Sequence, residues 1–221
     1  MQAWPSLSDL VAELPIPPGV ALGRLRHDEV PTLVRSLTAW FPDIVVGAES
    51  RHLREAFYFE QTALEGNDDP SILPIVARAA GEIVALVTFE RNNDARTLTS
   101  PMGAVGPAYR GGGLGVLGYP MMERLGRAIG AELLLVYVTL KAPHEQKLAE
   151  RSGFRLAGII PGHDRDMVRP GEIRRVYEAV YVKLLGDATL VEAPAMEALT
   201  PTTRRLFELL SASPDSDSPR G

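Results

Sequence analysis

Cysteine is absent from the 221 residues of this chain. Its absence excludes disulfide scaffolds, thiolate zinc sites and cysteine nucleophiles, and it fits the reducing cytoplasm, where we expect the protein to work. Aromatic residues make up only 6% of the chain, but 45% of it is apolar, which is close to the globular average. The sequence therefore predicts a folded domain with its own hydrophobic core.

Long hydrophobic runs and an excess of positive charge are also missing. The longest apolar run, residues 133–138, is far shorter than the roughly 20 residues that a membrane helix needs. Asp9 and Glu13 stand where a signal peptide would carry Lys or Arg. The formal net charge of −5 provides no basic field for a phosphate backbone. We therefore expect neither a membrane nor a nucleic acid as a partner.

The two ends of the chain differ in composition from the middle. Residues 1–19 place prolines among short apolar pieces, which is typical of an irregular arm. Residues 211–221 are rich in Ser, Pro and Asp, and we expect them to be a disordered tail. Between these ends the sequence predicts a single domain over residues 20–185 and a C-terminal extension with a short helix over residues 186–210.

Hydrophobic periodicity predicts mostly antiparallel strands and one strand-helix-strand crossover in the middle. The continuous apolar run 133–138 is typical of a strand that is covered on both faces. Pro120 falls inside a predicted helix, where proline normally removes a hydrogen bond and kinks the chain. The predicted strands are 20–25, 72–79, 82–91, 97–105, 133–138, 154–160 and 176–185, and the predicted helices are 27–40, 50–64, one that ends at Gly130, 143–151 and 200–210.

Glycine is concentrated in one segment, Arg110-Gly-Gly-Gly-Leu-Gly115, directly before a predicted helix. A glycine-rich turn at a helix N-terminus leaves several N–H groups free, and the helix dipole adds partial positive charge there. Glycine also lets the main chain approach a diphosphate with no side chain in the way. The segment therefore predicts an anion site with Arg110 as an added charge, while a flexible surface turn is the structural alternative.

Two familiar phosphate loops can be compared with this segment. A Walker loop needs Lys and then Ser or Thr after its last glycine, whereas Gly118 is followed by Tyr and Pro. The dinucleotide fingerprint G-x-G-x-x-G is present as Gly113, Gly115 and Gly118, but the next predicted strand ends without the acid that would bind a ribose. A nicotinamide-dependent oxidoreductase is therefore a weaker alternative.

The stretch from Val105 to Gly115, Val-Gly-Pro-Ala-Tyr-Arg-Gly-Gly-Gly-Leu-Gly, resembles the coenzyme A loop of the GCN5-related N-acetyltransferase (GNAT) family. That family's pattern is V-x-P-x-Y-R-G-x-G-x-G, and every fixed letter is met. The resemblance implies an α/β fold of the α+β type, with a mixed, mostly antiparallel sheet splayed at the cofactor site and flanked by helices.

The resemblance also implies acyl-coenzyme A, most simply acetyl-CoA, as cosubstrate, and no metal. Pantetheine would lie in the splayed sheet against strand backbone, and the pyrophosphate would lie on the amides of the loop. The implied cofactor-binding residues are Gly103, Val105, Arg110, Gly111, Gly112, Gly113, Leu114 and Gly115.

The residues that would move protons are marked less clearly. Many family members have a Tyr that protonates the departing thiolate and an Asn that meets the cofactor, but Ala149 and Ala142 stand at those places. His144 is the candidate replacement acid, because histidine exchanges protons near neutral pH; a solvent-facing or helix-capping histidine is the alternative. Glu90, at the end of an apolar run, is the candidate base, although its charged neighbours are typical of a hairpin loop. Tyr137 could reach the reacting centre or simply pack.

The family resemblance implies that residues 27–64 help to frame the acceptor pocket. Glu49, Glu55 and Glu60 could attract a cationic amine, although a solvated charged face explains them as well. Five aromatic residues in this segment could form an apolar slot, but aromatics at helical spacing are more often core. These are Trp40, Phe41, Phe57, Tyr58 and Phe59.

The sequence therefore favours an N-acyltransferase that moves an acyl group from acyl-coenzyme A to a primary amine of a small molecule or protein. A noncatalytic coenzyme A sensor is the alternative, because the usual acid is missing. Residues 176–185 could join two protomers as a paired strand, so a homodimer is compatible with the sequence without being required by it.

Overall fold

The computed structural model describes residues 1–187, 189 and 191–211. They form a seven-stranded sheet in the order β1-β2-β3-β4-β5-β7-β6, flanked by helices, in which β4 and β5 run parallel and the other neighbouring pairs run antiparallel. The predicted fold class is therefore confirmed. The strands are β1 Val20–Arg24, β2 Ile72–Ala79, β3 Glu82–Asn92, β4 Thr97–Val105, β5 Leu133–Thr139, β6 Arg155–Arg169 and β7 Glu172–Leu184, and the helices are α1 Leu7–Val11, α2 Val30–Trp40, α3 Glu55–Gln61, α4 Gly118–Ile129, α5 Pro143–Arg151 and α6 Pro201–Ser211.

Two hydrophobic clusters hold the helices on the sheet. α2 repeats its apolar residues at helical spacing, so that Leu33 and Leu37 share one buried face and pack with Tyr58 of α3. The other cluster contains the buried face of α4, including Leu125, together with Phe89 of β3. The sheet is therefore covered by different helices in each cluster, and the site described below lies where β4 and β5 separate.

The N-terminal arm contains the short helix α1, where the sequence predicted irregular structure. The Trp4 side chain is only 4% exposed. Its indole Nε1 donates a hydrogen bond to the Pro70 carbonyl oxygen at 2.9 Å, and the Arg91 Cζ atom lies 4.5 Å from the centroid of its ring. The apolar residues of the arm therefore cover part of the core.

The helix predicted for residues 50–64 is shorter in the structure. A 3-10 turn covers Ala48–Leu53, and α3 begins only at Glu55 because Arg54 has an extended backbone with φ −121° and ψ 123°. The break places His52 in the core, where its Nδ1 atom lies 3.0 Å from the Glu49 carbonyl oxygen.

The prediction that β5 is covered on both faces is wrong. Leu134, Val136 and Val138 are buried, but Tyr137 on the opposite face is 45% exposed. That face borders a cleft. Because the residues on both faces of β5 are apolar, the sequence does not show that one face is buried and the other is partly exposed.

The last two strands are much longer than predicted. β6 and β7 continue through residues 161–175 as a paired hairpin. Charged letters dominate this hairpin, so no apolar alternation marks it in the sequence. β7 lies between β5 and β6, so both of its edges are paired, and the predicted route to a homodimer through residues 176–185 is wrong. The free edge at this side of the sheet belongs to β6.

Pro120 occupies the third position of α4. The N–H groups of the first helical turn have no intrahelical acceptor, so proline removes no hydrogen bond there.

The helix predicted for residues 200–210 is present as α6, and all but the first residue of the predicted tail 211–221 lie outside the described residues. Within the described part of the chain, no helix combines the length and the apolar character needed to cross a bilayer.

Candidate functional site

β4 and β5 are paired only at their first residues. Thr97 to Thr99 of β4 are in register with Leu133 to Leu135 of β5, and beyond them β4 stays with β3 while β5 stays with β7. The separation opens a cleft of about 800 Å³, bordered by β3, β4, β5, α4, the 48–53 turn and the far parts of β6 and β7.

The divergence begins at a β-bulge in β4. One residue of β3, Phe89, lies opposite two residues of β4, Ser100 and Pro101. A bulge bends its strand and interrupts the ladder, and proline has no N–H to donate to a neighbouring strand. β4 therefore turns away from β5 at this point.

Gly103 and Val105 direct their main-chain groups into the cleft. The Gly106 N–H donates to the Val84 carbonyl oxygen at 2.9 Å, and hydrogen bonding in an antiparallel pair alternates along the strand. The N–H and C=O groups of Gly103 and Val105 therefore point away from β3. In agreement with this direction, the Val105 carbonyl accepts a hydrogen bond of 3.1 Å from the Arg110 Nε atom.

The loop after β4 needs glycine at two positions. Gly111 has a φ of 79° and Gly113 a φ of 89°, values that side chains disfavour. Gly115 has no such strain, and a Cβ atom built on it meets no other atom within 4 Å. The main chain at Gly115 is therefore exposed to open space, as close approach by a ligand requires.

Four consecutive or nearly consecutive amides of this loop are free. Among the described residues, the N–H groups of Gly111, Gly113, Leu114 and Gly115 donate to no backbone carbonyl, whereas the Gly112 N–H donates to Tyr109. A 3-10 turn and then α4 follow at once, so the positive end of a helix adds to these dipoles. The loop can therefore bind an anion through its main chain.

The Arg110 side chain folds back over the end of α2. In addition to its contact with Val105, its Nη2 atom donates to the Trp40 carbonyl oxygen at 3.4 Å, and its Cζ atom lies 5.1 Å from the centroid of the Phe41 ring. Trp40 and Phe41 line the cleft beside it. Of the other aromatic residues considered, Phe57 and Tyr58 are core and Phe59 stacks on His27 at the surface.

The structure separates the two predicted catalytic residues. His144, the second residue of α5, is exposed and lines the cleft. Glu90 does not line it: its carboxylate forms an ion pair of 2.9 Å with the Arg51 guanidinium. Glu90 is therefore not placed to act on a group in the cleft, and its ion pair fixes the 48–53 turn against β3.

A set of carboxylates that the sequence did not group together lines the cleft on the 48–53 turn and the last two strands. Glu49 comes from the 48–53 turn, Asp164 from β6 and Glu178 from β7. The pKa of Glu49 is raised to about 7, mainly by burial and to a lesser extent by the negative charges of Glu178 and Asp164. These residues are far apart in sequence, and two of them lie on the hairpin that carried no apolar pattern.

Comparison with known proteins gives a fold and no sequence relative. No family model matches the chain, and no curated protein matches its sequence. In structure it is similar to an IAA acetyltransferase from Bacillus cereus, with a TM-score of 0.54 and 16% identity over 75% of this chain and 99% of that one.

Two further solved structures agree with that similarity. A mutant of the spermidine N-acetyltransferase SpeG from Vibrio cholerae gives a TM-score of 0.59 at 14% identity, covering 75% of this chain and 94% of that one. RimL, a ribosomal α-N-protein acetyltransferase, gives 0.54 at 10%, covering 78% and 97%. The chain has the GNAT fold.

This GNAT-fold chain departs from the family pattern where the thiolate would be protonated. Ala149 is fully buried and does not line the cleft. Tyr119 of α4 lines the cleft instead, and its ring packs edge-on against Phe154 at a centroid distance of 5.2 Å. Burial, followed by the charge of Glu145, raises the pKa of the Tyr119 phenol. Its hydroxyl therefore stays protonated on the cleft wall, which His144 also lines.

Proposed function

We propose that this protein is an N-acyltransferase that uses acyl-coenzyme A, most simply acetyl-CoA, to acylate a primary amine of a small molecule or protein in the cytoplasm. One observation carries the proposal: a row of free loop amides adjoins the gap between two diverging strands. The gap offers strand backbone to the amide groups of pantetheine, and the loop offers N–H groups and a helix N-terminus to a diphosphate.

The cofactor-binding residues follow from that arrangement. The amides of Gly111, Gly113, Leu114 and Gly115 hold the diphosphate, since they have no other backbone acceptor. Gly112 contributes through its lack of a side chain, which leaves the loop surface accessible to the diphosphate. Arg110 adds positive charge at the start of the loop. Gly103 pairs with pantetheine through its N–H and C=O groups. Val105 offers its N–H group alone, because its carbonyl oxygen already accepts from Arg110.

The cosubstrate supplies an activated acyl group, whose carbonyl carbon bonds to the amine nitrogen as the carbon–sulfur bond breaks. The protein's part is to hold the two reactants together, which contributes up to about 7 to 11 kcal/mol in well-oriented reactions. A backbone N–H near Val105 polarises the carbonyl oxygen. His144 and Glu145 are the titratable side chains of α5 that line the cleft. Of these two, His144 returns a proton to the departing sulfur, because an imidazole commonly serves as a general acid.

The second candidate function is a noncatalytic coenzyme A sensor. Two observations favour it: Ala149 provides no acid, and Glu90 is held outside the cleft by Arg51. A sensor would keep the loop and the strand gap and would not need an acceptor pocket.

A paired measurement separates the two functions. Calorimetry measures the affinity of the purified full chain for acetyl-CoA, and a thiol-reactive dye measures thiol release in the presence of a panel of primary amines. Saturable binding with amine-dependent thiol release supports the transferase. Saturable binding with no release for any amine selects the sensor, and the lack of any binding contradicts both.

A further inference from the structure

The acceptor end of the cleft, as defined here, is the region around Glu49, Asp164, Asp166 and Glu178. Two cationic side chains, Lys141 and Arg165, line the same region. The four carboxylates outnumber the two permanent cations, so this end of the cleft has a negative surplus although the loop end is built to bind an anion.

Three of the four carboxylates are already engaged. Both Asp164 oxygens accept from the Ala48 N–H at 3.0 and 3.1 Å, Asp166 forms an ion pair with Lys141, and Glu178 Oε2 lies 2.7 Å from His163 Nδ1. These partners fix the carboxylates in place on β6 and β7.

Glu49 is largely buried and faces the cleft without a partner. Its backbone carbonyl contacts His52, but among the described residues its carboxylate has no hydrogen bond or ion pair. The charged groups around it are Glu178 of β7, Asp164 of β6, Lys141 and Arg51, and their combined effect with burial favours the protonated carboxyl group. A buried carboxyl group in this position readily accepts and releases a proton near neutral pH.

The 48–53 turn holds Glu49 toward the cleft because β6 fastens the turn. Gly47 has a φ of 85°, and a Cβ atom there would lie 2.3 Å from the Arg165 carbonyl oxygen. The hydrogen bonds from Ala48 to Asp164 complete this contact. The turn and the hairpin therefore meet across the acceptor end and enclose it.

We propose that the acceptor is a primary amine that carries a second positive charge, and that Glu49 takes the proton from its reacting ammonium group. The inference rests on the proposed function and names its substrate class. Asp164 and Glu178 provide the negative surface on which the second charge of the acceptor lies.

The proton balance is complete without a further reactant. The acceptor ammonium gives one proton to the Glu49 carboxylate, and the free amine nitrogen forms its bond to the acyl carbon as the carbon–sulfur bond breaks. The second proton lost from nitrogen reaches the sulfur, and Glu49 releases its own proton to solvent. Protonation neutralises the negative charge of Glu49. The other three carboxylates still outnumber Lys141 and Arg165, so the acceptor end still favours a cationic acceptor.

The test of the substrate class uses three amines of equal chain length with the full chain and acetyl-CoA: 1,6-diaminohexane, 6-aminohexan-1-ol and 6-aminohexanoate. We expect kcat/KM for the diamine to exceed that of the amino alcohol by about tenfold, and the amino acid to be the poorest, since charge complementarity sets the order. Equal values for the diamine and the amino alcohol, or a preference for the amino acid, overturn the inference.

The test of the proton acceptor uses Glu49→Gln, with Glu60→Gln as the matched control on an exposed glutamate of α3 that does not line the cleft. For the parent protein we expect kcat/KM to rise with pH through about 7. Glu49→Gln should lower kcat/KM about a hundredfold and remove that rise, while Glu60→Gln should match the parent. A Glu49→Gln variant with the parental pH profile overturns the role of Glu49.

Asp164→Asn tests the second charge, because asparagine still accepts a hydrogen bond from the Ala48 N–H. We expect it to reduce the advantage of the diamine over the amino alcohol, and an unchanged ratio contradicts the inference. Acetyl-CoA binding measured by calorimetry distinguishes a failure of the proposed function from a failure of the inference about the substrate class. Binding without turnover of any amine overturns the proposed function and this inference together, whereas turnover that prefers neutral amines overturns the inference alone.

Discussion

At the loop end of the cleft, the groups offered to a ligand are main-chain amides from one continuous segment, residues 103–115. At the acceptor end they are side chains from the 48–53 turn, the segment between β5 and α5, and the β6–β7 hairpin. The first arrangement depends on local backbone geometry and leaves a pattern in the letters. The second depends on tertiary structure and leaves none.

The two ends should therefore respond differently to substitution. A change in the loop should affect cofactor affinity and leave the choice of amine unaltered. A change in the acceptor end should do the opposite. The substitutions below test that separation, from the largest expected effect to the smallest.

Replacing Gly115 by valine should have the largest effect. The position is unstrained and open, so the added side chain should fill the space that the proposed function assigns to a diphosphate, without distorting the loop. We expect acetyl-CoA affinity to fall about a hundredfold, or about 2.7 kcal/mol, in calorimetry, with an unchanged melting temperature. Gly158→Val in β6, also open and remote from the cleft, is the control. Parental affinity in Gly115→Val contradicts the loop assignment.

The same substitution at Gly113 would combine two effects. A bulky residue there should also weaken binding, but Gly113 has a positive φ, so strain in the loop adds to the blocked approach. A comparison of the two variants by circular dichroism and calorimetry separates strain from obstruction.

His144→Ala should lower kcat about tenfold to a hundredfold with little change in acetyl-CoA affinity, because general acids act on the chemical step. Tyr119→Phe removes the other proton donor on the cleft wall, and we expect a smaller loss. Steady-state kinetics of both variants decide between them: a parental kcat for His144→Ala together with a large loss for Tyr119→Phe would transfer the role to Tyr119.

Gly47→Ala should damage the acceptor end alone. The new methyl group would lie against the Arg165 carbonyl oxygen and push the 48–53 turn away from β6. We expect the KM for the amine to rise about tenfold while acetyl-CoA affinity stays parental. A parallel loss of cofactor affinity would show that the two ends are not independent.

Glu49→Gln should change the pH dependence of stability. The pKa of Glu49 is about 7 in the folded protein against 4.5 for an unperturbed glutamate, so the folded state holds a proton that the unfolded state loses between these values. The stability of the parent therefore falls as pH rises from about 4.5 to about 7. The variant lacks this fall and should gain up to about 3 kcal/mol relative to the parent at pH 8 compared with pH 4, at about 1.4 kcal/mol per unit of pKa difference. Parallel denaturation curves at the two pH values contradict the expectation.

The fold was largely predictable because its central elements have regular patterns. The strands 72–79 and 97–105 and the helix 143–151 have the predicted bounds, since apolar alternation and helix-ending signals agree there. The hairpin over residues 161–175 could not be found, because both of its faces are largely exposed. The break at Arg54 places His52 in the core, and tertiary packing of this kind leaves no periodic pattern in the sequence.

The candidate site was predictable only in part for the same reason. The loop letters from Val105 to Gly115 specify glycine conformations, so sequence and chemistry coincide there. Glu49 was one of three similar glutamates, and only the structure distinguishes its position in the cleft from the exposed Glu55 and Glu60. Glu90 matched the expected chemistry, but its ion pair with Arg51 lies outside the cleft.

Pro101 also determines the state of the protein before a ligand arrives. Without such a feature, the parallel strands β4 and β5 would be able to form hydrogen bonds along their whole length and close the sheet. The ring nitrogen at position 101 has no hydrogen to offer, and the bulge directs the following residues elsewhere. The opening is thus preorganised by covalent structure, so a ligand that enters it does not have to displace a strand.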